Sequence, residues 1–274
     1  LELYSHGWGA IPFVLSCVLL FYVALSITGS LLYGHRAWFE RADLFSTLFT
    51  LIGKAAPIQL ENGSITLCPP GERLVHERAV HHAIIFFIFV LLGTTVVDGL
   101  KETRMWFDLG LYKISLAVFL IFPLVLNLIY DGIIYVMKKV TNTSLDTAAL
   151  SLRFAYSLVP IAIVYHFAHY FGLLLTQGQQ LFAQISDPFS KGWDLFGTAS
   201  YEMNITLIGA DTIWYVQLSA IVLGHILAAV IAHRISLQTF DKKRDIIVSQ
   251  LPMLVLMVGF TAFGLWTLAQ PFVF

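Results

Sequence analysis

Charge is scarce in this chain. Asp, Glu, Lys and Arg make up only 12% of its 274 residues, about half the ~25% usual in a soluble domain. So few charges leave little to cover a water-facing surface. The formal net charge is −1, which excludes the strong basic or acidic field of a nucleic-acid or polyanion binder. Cysteine is scarce too. Cys17 lies in an apolar run and Cys68 in a polar segment, so no disulfide framework is expected. A Gly-x-Ser-x-Gly elbow and a zinc-protease His-Glu-x-x-His run are both missing, which removes two common hydrolase designs. No internal repeat or low-complexity linker divides the chain, so residues 1–274 read as one domain.

Apolar residues are abundant, at 58%. They form runs that repeatedly reach the ~20 residues a helix needs to cross a ~30 Å hydrocarbon layer. Six such runs are read, at about 10–33, 79–100, 111–137, 148–175, 212–235 and 251–272. The fold class is therefore all-α, a polytopic transmembrane helix bundle. The first run is too long for the apolar part of a signal peptide, and no basic segment precedes it.

Two long connections stand out. In residues 34–78, Leu44, Phe45, Leu48, Phe49, Leu51 and Ile52 recur at helical spacing between charged ends. That stretch is too short to cross, so it reads as an amphipathic helix lying in the interface. The segment Gln59–Leu67 alternates around Asn62-Gly63, a hairpin signal. Residues 176–211 form the other connection, rich in aromatics and turn formers. It is expected to be an ordered loop on the outer face, placed as a lid or as a docking surface.

Orientation is read from Lys and Arg. The side holding the connections after spans one, three and five carries 11 of the 16. The opposite side carries four, and Arg153 lies inside span four. The positive-inside rule then puts both termini outside. Trp8, Trp106, Trp193, Trp214 and Trp266 become interfacial aromatics on that outer side. Asp131 and Arg153 come at similar depth near the inner side, where a mutual pair lowers the penalty of both charges.

Ionisable groups at membrane depth are the functional pointers, because hydrocarbon tolerates them poorly. Span four carries Tyr165-His166-Phe167-Ala168-His169-Tyr170. His166 and His169 share one helix face, and each tyrosine lies four residues from one histidine. Span two ends on Asp98, with Glu102 one turn beyond, and span five carries His225 near its middle. At about 1.5 Å per residue, Asp98, His166 and His169 meet at one outer level, with His225 somewhat deeper. Imidazole plus carboxylate is a donor set for copper, zinc or iron. Asp98, His166 and His169 are thus the candidate metal ligands, with Glu102 and His225 as additions. Haem fits less well. His166 and His225 are the nearest to an axial pair, and their depths differ by about 6 Å. Hydrogen bonding across helices is the plainer alternative for the histidines, and proton or substrate handling is a third.

The chain resembles a family of uncharacterised bacterial polytopic inner-membrane proteins. The resemblance rests on Tyr22-Val23-Ala24-Leu25, on Asp43-Leu44-Phe45 with Ala55-Ala56-Pro57, and on Asp98-Gly99. It continues through Tyr165-His166 with His169-Tyr170, then Asp187-Pro188-Phe189 with Gly192-Trp193-Asp194-Leu195-Phe196-Gly197, and Pro252-Met253-Leu254-Val255-Leu256-Met257. It covers nearly the whole chain and implies a multi-pass protein of the bacterial inner membrane. Relatives carry further spans before the part matching residue 20. The resemblance therefore implies that this chain corresponds to their C-terminal part and that a companion chain supplies extra helices. The family has no established activity to carry over. The expectation is a membrane subunit with an outward-facing His/Asp metal site, in redox chemistry or metal handling. A transporter of a small solute or ion, and a structural or assembly subunit of a larger complex, are the alternatives.

Overall fold

The computed structural model describes residues 11–61, 63–77, 79, 81–204 and 206–270. Among these, six helical stretches are long and apolar enough to cross a membrane. The chain is an all-α, multi-pass membrane protein.

The first crossing helix is α1 (Pro12–Tyr33), with proline in its first turn, where the missing N–H is not needed. It stops at Gly34, whose φ of 85° continues no helix. A short α2 (His35–Arg41) and α3 (Leu44–Ala55) follow. Asp43 starts α3 by accepting the Ser46 N–H at 2.7 Å. Leu51 is buried beneath α3, while Leu44, Phe45 and Phe49 stay exposed. The expected short amphipathic helix is thus present. The expected hairpin is also present. Strand β1 (Ile58–Glu61) pairs antiparallel with β2 (Ser64–Leu67), and Gly63 turns the chain at φ 79°.

After the short α4 (Glu72–His76) come the remaining crossings. They are α5 (His82–Lys101), α7 (Ser115–Thr141), the stretch that ends in α9 (Val159–Thr176), α11 (Ala210–Thr239) and α12 (Lys243–Leu268). The sixth crossing begins eight residues before the expected Leu251, because Lys243, Arg244 and Asp245 extend the helix beyond its apolar part. A short α6 (Arg104–Asp108) between α5 and α7 was not expected; Thr103 caps it by accepting the Trp106 N–H.

The fourth crossing is not one helix. It opens with α8 (Thr147–Phe154), passes through a 3₁₀ turn at Ala155–Leu158, and continues as α9. Pro160 sits in the first turn of α9, where a break relieves its clash with the preceding turn. The break also re-aims Arg153. Its Nη1 lies 3.5 Å from Thr239 Oγ1. Asp131 instead accepts from Asn127 at 3.0 Å and lies 3.5 Å from the Ser151 hydroxyl. The expected Asp131–Arg153 pair is therefore not formed: each group finds a polar neighbour on its own side.

Helices α5, α7, α9, α11 and α12 pack as a bundle, with α9 against α11 and α7 between α5 and α12. Small residues set the closest approaches. A Cβ on Gly224 would overlap the Val164 side chain, and one on Gly93 would lie 2.9 Å from Pro123 Cγ. The core holds Phe89, Tyr130, Ile134, Met137, Leu158 and Met257. Tyr130 donates to the Ser151 carbonyl at 2.7 Å, satisfying a buried hydroxyl. The outward faces expose Leu120, Leu128, Leu223 and Val255, as a bilayer-facing surface requires. Helix α1 stands apart. It packs on α2, Tyr22 donates to Asp43, and Gly29 is its one buried residue among those described.

Of the tryptophans expected at the interface, Trp193, Trp214 and Trp266 are exposed, but Trp106 is buried. Helix α6 folds it inward against Val97 and Leu100. Trp8 lies outside the described residues. Cys17 and Cys68 are both free.

Candidate functional site

The site is built where α5 and α9 run side by side in the same direction, an arrangement the intervening α7 makes possible. On α5, Thr95 and Asp98 are three residues apart and share a face. On α9, His166 and His169 have the same spacing. The two helices therefore meet in register through two polar contacts, Thr95 with His166 and Asp98 with His169. These levels are about 4.5 Å apart along the helices.

At the upper level, His169 Nε2 lies 2.7 Å from Asp98 Oδ2. The Tyr170 hydroxyl donates to the same oxygen at 3.3 Å. The Asp98 and His169 side chains are only 7% and 15% exposed. Asp98 Oδ1 is buried with no hydrogen-bond partner among the described residues. The carboxylate is thus satisfied on one oxygen and open on the other. Tyr170 also stacks edge-on to the His169 ring, with centroids 4.7 Å apart, which fixes the imidazole.

At the lower level, Thr95 Oγ1 lies 3.0 Å from His166 Nε2, and His166 Nδ1 lies 3.1 Å from the Ala162 carbonyl. A proton on Nδ1 satisfies Ala162 and leaves Nε2 to accept from Thr95. The Thr95 hydroxyl has one proton, so that bond alternates with one to the Leu91 carbonyl at 3.1 Å. Around both levels, Val97, Leu100, Trp106, Ala168 and Ile221 form an apolar jacket. Such surroundings strengthen each polar contact and penalise each unpaired atom.

The structure joins Asp98 to His169 and leaves the other expected ligands outside that contact. His166 is held by Thr95 and its own helix. His225 Nδ1 lies 2.7 Å from the Ile221 carbonyl one turn back, and its buried Nε2 has no hydrogen-bond partner among the described residues. Glu102 is the C-cap residue of α5, its backbone N–H turned back to Gly99 and Leu100. Among the described residues, no three His, Cys, Asp or Glu side chains gather closely enough to hold a metal ion.

No protein-family model, curated protein or solved structure matches this chain. The site must therefore be read from its own chemistry.

Two members of it lay beyond the sequence reading. Tyr170 lies four residues from His166, but its hydroxyl bonds Asp98. Tyr165 lies four residues from His169, but its hydroxyl pairs with Thr267 Oγ1 on α12 at 3.0 Å. Thr95 carried a signal that passed unused: it precedes Asp98 by the same three residues by which His166 precedes His169.

The described residues of the 176–211 connection are ordered, as expected. Helix α10 (Gln180–Ser186) leads into it. Gln179 accepts from the Tyr201 hydroxyl and the Asn204 N–H, both at 3.1 Å. Asp187 accepts the Lys191 and Gly192 N–H groups, and Asp194 accepts from Ser186 and Ala199. The Ala199 N–H and the Ser186 hydroxyl hold the Asp194 carboxyl below its ordinary pKa.

Proposed function

We propose that this multi-pass membrane protein handles protons at Asp98, His169 and Tyr170, as a relay in membrane redox chemistry or ion-coupled transport. The observation that carries the reading is the 2.7 Å contact between His169 Nε2 and Asp98 Oδ2. An imidazole and a carboxylate in direct contact can pass one proton between them. Buried carboxylate–imidazole pairs inside a bundle are the usual parts of proton relays. Tyr170 steadies the carboxylate when the proton sits on His169. Thr95 and His166, one turn away, extend the polar path along the same helix faces.

The test uses proteoliposomes holding a pH-sensitive dye, with a potassium diffusion potential applied. Proton uptake that Asp98→Asn and His169→Gln abolish, and that Tyr130→Phe leaves unchanged, supports a transport role. Unaltered uptake in both site variants contradicts it.

A metal site remains the second reading, favoured by the open Asp98 Oδ1. Copper, zinc or iron bound there would take His169 or His166 as a further ligand after a side-chain rotation, since metal bonds to N and O are ~2 Å. Elemental analysis of purified protein separates the readings. Stoichiometric metal that Asp98→Asn removes establishes the second. Metal-free protein with intact proton handling sinks it.

The exposed α1 supports a place among partner membrane chains, in line with the assembly reading. We infer a bacterial inner membrane with both termini outside, on the basis of the Lys and Arg asymmetry.

A further inference from the structure

A cavity of about 530 Å³ opens at the end of the bundle opposite the Asp98 site, between α2, α3 and the start of α5. Its volume falls in the range of small-ligand pockets. Its walls have two characters. Arg41, Lys54 and His81 supply cationic or protonatable groups, while Leu44, Ile84 and Phe87 supply an apolar side. Lys54 is occupied in part: it pairs with Glu77 at 2.6 Å and reaches the Tyr156 hydroxyl at 3.2 Å. Glu40, the one acid in the wall, is held by Arg36 at 2.7 Å. Arg41 has no side-chain hydrogen bond or ion pair among the described residues. The mouth therefore offers an unneutralised guanidinium over an apolar wall.

The position adds a further constraint. Helix α3 lines the cavity with Thr47, Leu51 and Lys54 on one face and exposes Phe45 and Phe49 on another. A helix with that division lies at the headgroup level. The same side of the bundle carries most of the Lys and Arg. Positive charge there meets anionic lipid headgroups.

We propose that this cavity binds one anionic phospholipid, its phosphate against Arg41 and Lys54 and the start of one acyl chain along Ile84 and Phe87. The rest of the lipid stays in the bilayer. Arg41 is the discriminating group, because Lys54 already has Glu77. The site does not depend on the proton reading of Asp98.

Native mass spectrometry of the protein released from nanodiscs tests the proposal. The nanodiscs contain equal parts phosphatidylglycerol and phosphatidylcholine. Retention of one phosphatidylglycerol in preference to phosphatidylcholine is the result expected. Arg41→Gln weakens retention by about fivefold, the effect of one basic group at a membrane surface, while Arg41→Lys keeps most of it. Lys243→Gln, on the same side but outside the cavity, leaves it unchanged. A parallel thermal-shift series adds inorganic phosphate or glycerol phosphate without acyl chains. Equal retention of both lipids, an equal loss in Lys243→Gln, or stabilisation by the soluble phosphates matching that by phosphatidylglycerol would each overturn the proposal. Arg41 is exposed at the end of a short helix, so loss of fold does not confound the variant.

Discussion

Replacing His169 with Leu strands a buried carboxylate. Asp98 then keeps only the longer 3.3 Å bond from Tyr170, with its second oxygen still unpartnered. In soluble interiors, breaking a buried ion pair from one side costs about 3–5 kcal/mol. Polar contacts between membrane helices measure less, averaging about 0.6 and reaching about 1.7 kcal/mol. The direct 2.7 Å geometry and the 7% and 15% exposures put this pair at the strong end. The carboxylate can escape part of the penalty by taking up a proton. The expected destabilisation is therefore about 2 kcal/mol, or roughly thirtyfold in the unfolding constant. Asp98→Leu leaves the His169 imidazole and the Tyr170 hydroxyl without this partner but strands no charge, and costs about 1 kcal/mol. The double variant removes both polar groups from an apolar jacket and returns close to the parent. Unfolding of all four proteins in mixed micelles with increasing dodecyl sulfate gives the cycle. A coupling of about 3 kcal/mol is expected. Additivity within about 0.5 kcal/mol would refute the claim that the two side chains act as a pair.

Three further outcomes follow from the packing and the charges. Gly224→Val pushes a side chain into Val164 and separates α9 from α11; a loss of about 1–3 kcal/mol in the same unfolding assay is expected. Tyr130→Phe keeps its ring beside Phe89 but removes one of the two bonds to the Ser151 carbonyl, which keeps the Ala155 N–H, for a loss of about 1 kcal/mol. Arg234 and His76 hold the Glu72 carboxyl at about 2, below its ordinary value of 4.5. A depressed folded pKa stabilises the folded state above the ordinary value, and that stability is lost as pH falls from about 4.5 towards about 2. Glu72→Gln should flatten thermal stability across that window, and an unchanged slope would show that the Arg234–Glu72 contact does not contribute.

Most of the architecture was legible because its signals are local. The six spans, the α3 stripe and the hairpin that turns at Gly63 each follow from runs of neighbouring residues. The features that escaped depend on tertiary placement. Trp106 reads as interfacial until α6 turns it against Val97 and Leu100. Arg153 reads as a partner for Asp131 until the break at Ala155–Leu158 aims it at Thr239. At the site, helical depth brought Asp98 level with His169. Depth alone says nothing of which way a ring turns. Hence His166 went to Thr95, His225 to its own backbone and Tyr165 to Thr267. The preference of a donor for its nearest acceptor separated residues that one-dimensional depth had grouped.

The central claim is that Asp98 and His169 exchange a proton within the bundle. Infrared difference spectroscopy of the protein in lipid, recorded with and without an applied proton gradient, reads the carboxyl group directly. The account predicts an Asp98 carboxyl band that changes with the gradient, disappears in Asp98→Asn and is altered in His169→Gln. A spectrum with no Asp98-dependent change under the gradient would contradict it.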